Sequence, residues 1–298
     1  MSTVADWRAR TDPEDLREYD RFGPWIDVVE EPVDMPRRFR PWWPELSQAR
    51  YLLKVPRSYD RAQVRPGMDL YESVIAVFAD RLCILRAEPA EVVRQDVGNA
   101  NVVASIRHTS LLVGRWTLLL DDASRVEVGF NAGSQPVIAE VDQWIFAQAP
   151  RSARPAVGGP SPRDHFFRST ILNLNSHLKA QVRPVHVEEP GQPCRNERGG
   201  RRRSAGMMAL ATSDDLFLFN QGVTTQPLLR RQNFTSNIVR VPFRTITSYE
   251  VRGPQETTPP GFSQLVLTCG EQVILQPCLA RPAAVESLLA QRAVPSAG

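Results

Sequence analysis

The chain has 298 residues and a formal net charge of +3. That length suffices for two domains that each bury a core, and a composition of 42% hydrophobic and 23% charged residues excludes fibres, disulfide scaffolds and wholly disordered chains. The charge balance selects neither nucleic acid nor membrane, and the longest apolar run, 111–120, is broken by Arg115 and falls short of the about 20 residues of a spanning helix.

The N-terminal residues MSTVADWRAR carry charge where a signal peptide would be apolar. Cys83, Cys194, Cys269 and Cys278 are scattered with no CxxC pair, which suits reduced thiols better than a disulfide framework. Both features predict a cytoplasmic protein. The cations are almost all arginine, with Lys54 and Lys179 the two lysines, a pattern that fits a coding bias and lowers the weight of arginine counts.

Residues 1–71 are rich in Pro, Trp and Arg and show little periodicity, with turn signals at Gly23-Pro24, Pro41-Trp42-Trp43-Pro44 and Arg65-Pro66-Gly67. Their aromatic content argues against disorder, so an irregular but ordered extension packing on the first domain is expected. Trp25, Trp42 and Trp43 in that extension are candidate interface anchors, with packing across the protein's own first sheet preferred. Short β-rich runs follow at 73–79, 82–86, 91–97, 102–107, 111–120 and 125–130, each bounded by Gly, Asn, Asp or Pro, and predict an antiparallel meander. Ser134 and Pro136 then open a helix whose Ile138, Val141 and Ile145 share one face. This completes a first domain at 72–149.

The segment 150–163, dense in Pro, Gly, Ser and Arg, marks a linker. A second domain at 164–292 begins with a helix capped by Asp164, running to about Leu178 with Phe167, Ile171, Leu174 and Leu178 on one side. Strands are predicted at 185–187, 207–211, 216–219, 238–241, 245–251, 264–268 and 272–275, around a polar arginine-rich loop at 190–205. A final helix starts at Pro282, and 293–298 is a frayed tail.

The halves repeat. Leu118, Leu120, Val126, Val128, Ile138 and Val141 align with Leu265, Leu267, Val273, Leu275, Val285 and Leu288 at an offset of 265 − 118 = 147, and Leu82 aligns with Leu216 at 216 − 82 = 134. The charged turn before an apolar strand in Ala79-Asp80-Arg81-Leu82-Cys83-Ile84-Leu85 recurs in Thr212-Ser213-Asp214-Asp215-Leu216-Phe217-Leu218. Together with Val241-Pro242-Phe243-Arg244-Thr245-Ile246-Thr247-Ser248-Tyr249-Glu250-Val251 and the strands-then-helix order, this resembles bacterial pleckstrin-homology-like and GRAM-like domains in tandem. The resemblance implies a mainly β fold of two bent antiparallel sheets, each capped by one C-terminal helix, and a scaffold family that binds lipid headgroups, peptides or other domains.

Chemical constellations are weak. His186-Val187-Glu188 with Pro193-Cys194 imitates a zinc-deaminase signature, but position 197 is Glu where that site needs Cys. No histidines stand at metal-ligand spacing, no serine has the flanking glycines of a nucleophile elbow, and no glycine-rich loop could cradle phosphate. The pairs Asp121-Asp122 and Asp214-Asp215 sit between strands, where Asp serves turns. No catalytic residue, metal, cofactor or small-molecule substrate is therefore expected.

The candidate ligand-binding residues are Arg198, Arg201, Arg202 and Arg203, in a run that also holds Arg195 and is opposed by Glu197 alone. Such a cluster attracts anionic lipid at about 1 kcal/mol per basic residue near the surface. Nucleic acid ranks below lipid because no aromatics interleave with the run. The expected function is a non-enzymatic scaffold of two such modules binding a protein partner, and the alternative is a peripheral membrane adaptor using the arginine loop.

Overall fold

In the computed structural model of the chain the described residues are 8–147, 158–195, 201–204, 206–225, 232–253 and 262–296. The first stretch holds α1 (Pro13–Arg21), β1 (Asp27–Val28), α2 (Trp43–Leu46), β2 (Tyr51–Pro56), β3 (Tyr71–Val77), β4 (Arg81–Ala87) and β5 (Val92–Gly98). Next come β6 (Val102–Ser110), β7 (Val113–Leu120), β8 (Arg125–Asn131), α3 (Gln135–Ala147), α4 (His165–Leu178) and β9 (Arg183–Glu188). The remainder is β10 (Pro193–Arg195), β11 (Arg201–Arg203), β12 (Met207–Ala211), β13 (Asp215–Thr225), β14 (Gln232–Pro242), β15 (Ser248–Arg252), β16 (Ser263–Cys269), β17 (Gln272–Cys278) and α5 (Ala283–Gln291). The fold is mainly β and antiparallel throughout its named ladders, as the alternating runs predict. No described helix is long and apolar enough to cross a membrane.

Two compact units emerge, Met1–Asn99 with Gly133–Val137, and Ala100–Ala132 with Ile138–Gly298. In the first, the sheet order is β1-β2-β3-β4-β5. Phe22, Phe39, Leu46 and Leu70 share its core with Leu52, Val74, Ala76 and Leu85. The described part of the stretch expected to be irregular, 8–71, is therefore more regular than expected. Asp12 caps α1 by accepting from Glu14 N–H and Asp15 N–H, with Pro13 in the first turn. Strand β2 was illegible because Leu52, Leu53, Lys54 and Val55 are all buried, which removes the alternation that announces a half-exposed strand. Ser134, expected as a helix cap, accepts from Ile26 N–H at 2.9 Å and so anchors the extension to the start of α3.

In the second unit a seven-stranded sheet runs β8-β7-β6-β14-β13-β12-β9, beside a three-stranded sheet β15-β16-β17. Ala209, Leu218, Val239 and Val241 on one face of the large sheet form a core with Leu265, Leu267 and Ile274 of the small one and Val285, Leu288 and Leu289 of α5. The opposite face presents Met208, Leu210, Phe217, Phe219 and Ile238 to Phe167, Leu174 and Leu178 of α4. Each fully buried side chain of this size contributes about 1.5–3 kcal/mol. Asp164 caps α4 as predicted, accepting from Phe167 N–H at 3.0 Å.

Strand β6 pairs with β14 over Ser105↔Arg240 to Ser110↔Thr235. The division placed by sequence at 150–163 is thus crossed by one continuous sheet, and β6, β7 and β8 fold with the second half. Along the chain, a four-stranded meander, a three-stranded meander and a helix occur twice: β2–β5, β6–β8 and α3, then β9, β12, β13 and β14, β15–β17 and α5. The 147-residue offset needs one amendment. Val126 and Val128 are buried in β8, whereas Val273 and Leu275 of β17 are exposed and the inward positions are Ile274, Gln276 and Cys278. The β7–β8 connection is longer than the β16–β17 turn, and a one-residue slip exchanges the faces of a strand.

Candidate functional site

The candidate site lies at one end of the seven-stranded sheet. Glu188, Met207, Asn220, Asn237, His108 and Arg115 stand in one cross-strand row. Beyond this row β9 and β12 continue into a hairpin arm, held first by Gly191 N–H to Ser204 O at 2.9 Å and Ser204 N–H to Gln192 O at 2.8 Å. The arm then becomes the β10–β11 ladder, Pro193↔Arg203, Cys194↔Arg202 and Arg195↔Arg201. Three of the four arginines singled out by sequence, Arg201, Arg202 and Arg203, therefore form a strand where a loop was expected. Arg198 lies outside the described residues. Gly206 joins the arm to β12 at φ +80°, where a Cβ would sit 2.9 Å from Glu188 O and 2.8 Å from Pro190 N.

Two strands away, β6 and β7 close at the same end through Ser110↔Val113, leaving Leu111 and Leu112 as a two-residue turn. Leu111, Leu112 and Val113 are 61%, 72% and 68% exposed. Sequence reasoning placed 111–112 inside a strand, because the turn has no Gly, Asn, Asp or Pro to mark it. Behind this tip, His108 Nδ1 and Asn237 Oδ1 stand 2.7 Å apart across the β6–β14 pair. Arg115 projects from β7 with a largely exposed side chain, 3.7 Å from Glu127.

The opposite end of the sheet is built differently. Arg240 is buried on β14, with Nη2 2.6 Å from Asp215 Oδ2 and Nη1 3.5 Å from Asp142 Oδ2 and 2.9 Å from Gln143 Oε1. Its guanidinium also lies over Phe146 and Phe217, 4.6 and 5.6 Å from the ring centroids. Asp142 Oδ1 accepts from Trp116 Nε1 at 3.1 Å. Burial holds the neighbouring Arg107 and Arg244 guanidinium groups below their ordinary range, partly offset by Asp142 and by Asp215. A cleft of about 70 Å³ lined by Gln143, Phe146, Leu178, Thr212, Arg240 and Arg244 opens here. Arg240 and Asp215 in its lining are already paired with one another and Arg240 reaches Asp142, so the arrangement clamps α3 onto the sheet. The sequence offered a signal for it: a lone Arg in the apolar run Ile238-Val239-Arg240-Val241 and a lone Asp on the apolar face of α3.

The turn reading of the aspartate pairs holds in part. Asp122 Oδ1 accepts from Ser124 N–H, and Thr212 Oγ1 accepts from both Asp214 N–H and Asp215 N–H. The Asp215 carboxylate, however, belongs to the Arg240 cluster. Glu188 of the zinc-like motif accepts from Leu279 N–H and Ala280 N–H while His186 Nε2 stands 3.2 Å from it, so both side chains brace the connection from β17 to α5. Among the described residues no group of three or more His, Cys, Asp or Glu could hold a metal ion. Cys83, Cys269 and Cys278 are buried, and burial pushes their thiols up to about 11, 12 and 12.

In the first unit a second concavity of about 400 Å³ is lined by Arg38, Arg57, Tyr59, Asp69, Glu72 and Arg86. Arg38 and Arg57 both donate to Asp69, at 2.8 and 2.9 Å, and Arg57 donates also to Ala87 O. These two cations already have partners. No protein-family model matches this chain, and no curated protein is significantly similar to it.

Proposed function

We propose that this chain is a non-enzymatic interaction scaffold of two pleckstrin-homology-like modules, and that it docks on an anionic membrane face. The modular reading is supported by the order of four-stranded meander, three-stranded meander and helix, run twice. The membrane reading is carried by one observation: the arginine hairpin arm and the exposed apolar β6–β7 tip leave the same end of one sheet. Cations near anionic headgroups and apolar side chains at the acyl boundary are the two terms of peripheral membrane binding. The four free cysteines support a cytoplasmic location, and hence the inner membrane face.

Docking on a protein partner, which the sequence alone favours, is the second reading. It is supported by apolar side chains exposed elsewhere, Leu172 on α4 and Val273 and Leu275 on β17. Flotation of the purified chain with neutral and with anionic vesicles, at low and physiological salt, separates the two. The membrane reading expects binding to anionic vesicles alone, lost in a variant carrying Arg201→Ala, Arg202→Ala and Arg203→Ala. No flotation under any condition sinks it and leaves docking on a protein partner.

A further inference from the structure

Lys54 is one of two lysines in a chain whose other basic side chains are almost all arginine, and it stands in the buried run Leu52-Leu53-Lys54-Val55 of β2. Among the described residues its amine has one polar contact, Nζ donating to Asp34 O at 3.3 Å, and it lies over the Tyr71 ring, 5.3 Å from the centroid. It forms no ion pair there. A buried ammonium without a counter-ion is costly, and an amine escapes that cost by giving up its proton. Burial holds Lys54 below the ordinary lysine range, with Asp27, Asp34 and Glu18 opposing the shift and Arg21 adding to it. An arginine could not respond in this way, because a guanidinium keeps its proton.

Lys54 lines a cleft of about 20 Å³ in the first unit, room for about one or two waters. Met35 and Tyr71, both buried, give it apolar walls. The rest of the lining is cationic and only partly compensated. Arg21 is paired with Asp34 and Arg37 with Asp15, and Arg40 Nη1 donates to Glu14 Oε1 at 3.0 Å. Arg40 Nε, in contrast, is buried with no acceptor, and Arg17 of α1 has no hydrogen bond or ion pair among the described residues. A buried amine without a counter-ion and a spare buried N–H donor therefore share one small space, which a further acidic side chain would fill and which none enters.

We propose that Lys54 is a carbamate site, at which dissolved carbon dioxide adds to the amine and the resulting anion is held by the arginines of the cleft. Carbon dioxide is small and uncharged, so unlike bicarbonate it reaches a buried amine past apolar walls without shedding a charged hydration shell. The nitrogen lone pair forms the new N–C bond, one C=O π pair moves onto oxygen, and one N–H proton leaves to solvent, so amine and carbon dioxide give carbamate and a proton. The product replaces an amine without a counter-ion by a carboxylate beside Arg17 and Arg40, and it offers Arg40 Nε the acceptor that this donor lacks. The site is independent of the membrane reading, since every residue in it belongs to the first unit.

The test equilibrates the full chain with isotopically labelled bicarbonate and carbon dioxide and reads carbamate carbon by NMR. Trapping by O-ethylation with triethyloxonium, followed by peptide mass spectrometry, locates the adduct. Lys179, exposed at the end of α4, is the internal control. The expected results are an adduct on Lys54 with far less on Lys179, a carbamate resonance kept in Lys179→Arg and lost in Lys54→Arg, and an occupancy lowered about 10-fold in Arg40→Gln. No adduct on Lys54 under saturating carbon dioxide, or equal adducts on both lysines, overturns the site, and unchanged occupancy in Arg40→Gln overturns the holding role of the arginines. The decisive reading is made on the unaltered protein, so a variant that fails to fold does not rescue the proposal.

Discussion

Replacing Arg240 by Met removes one cation from a core where its partners stay buried. Asp215 loses a contact of 2.6 Å and Asp142 one of 3.5 Å. A buried charge deprived of its partner costs about 3–5 kcal/mol. Arg107 still faces Asp142 and Arg244 still faces Asp215, which sets the expectation at the lower end, about 3 kcal/mol. Asp215→Leu strands the guanidinium in the same way and should cost a similar amount. The double variant Arg240→Met with Asp215→Leu removes both charges together, and about 1 kcal/mol or less is expected because the pair's own desolvation is relieved. Urea unfolding followed by tryptophan emission is the assay, since Trp116 is fully buried and donates to Asp142 in the same cluster. Additive single and double variants, or single variants within about 0.5 kcal/mol of the parent, would refute the clamp.

Gly206→Ala should cost about 2–3 kcal/mol, because φ +80° strains any side chain and the new Cβ meets the backbone of Glu188 and Pro190. A shift in the urea midpoint equivalent to less than about 0.5 kcal/mol would show that the joint between β11 and β12 relaxes freely. Burial, reinforced by the charge of Arg107 and opposed by Glu140, holds His177 below the ordinary histidine range. The unfolded chain therefore takes up that proton first, so stability is lost as pH falls through about 6.5 and levels off below the folded value. His177→Gln should flatten this part of the profile when the urea midpoint is followed from pH 8 to pH 5, and identical slopes would remove His177 from the acid response.

Elements that expose one face to solvent were legible in the sequence. Strand β8 alternates with Val126, Val128 and Phe130 inward, and α3 repeats Ile138, Val141 and Ile145, so period and face agreed with the fold. Strand β2 and the Asp215 ion pair were missed for one reason: each is buried where a surface or turn position was assumed. Pairing of β6 with β14 joins segments that a local pattern cannot connect. The recurring element order was visible because its hydrophobic spacing recurs, yet the register in β17 differs where the turn is shorter. The β6–β7 turn was written as Leu-Leu-Val and taken for strand, since a turn without turn residues carries no local mark.

The two ends of the seven-stranded sheet divide their burdens. One end is tied by Arg240 to Asp142 of α3 and Asp215 of β13, by a network whose partial removal is expensive. The other end carries the exposed Leu111, Leu112 and Val113, which add little to the core. A docking surface exposes apolar and like-charged groups that weaken a fold, so the stability lost at one end has to be recovered elsewhere. A single sheet allows that, because β6 and β14 run from one end to the other. Loosening the clamp with Arg240→Met should therefore lower global stability while leaving the binding of the folded protein to anionic vesicles unchanged. Parallel loss of both would instead place the Arg240 cluster within the docking function.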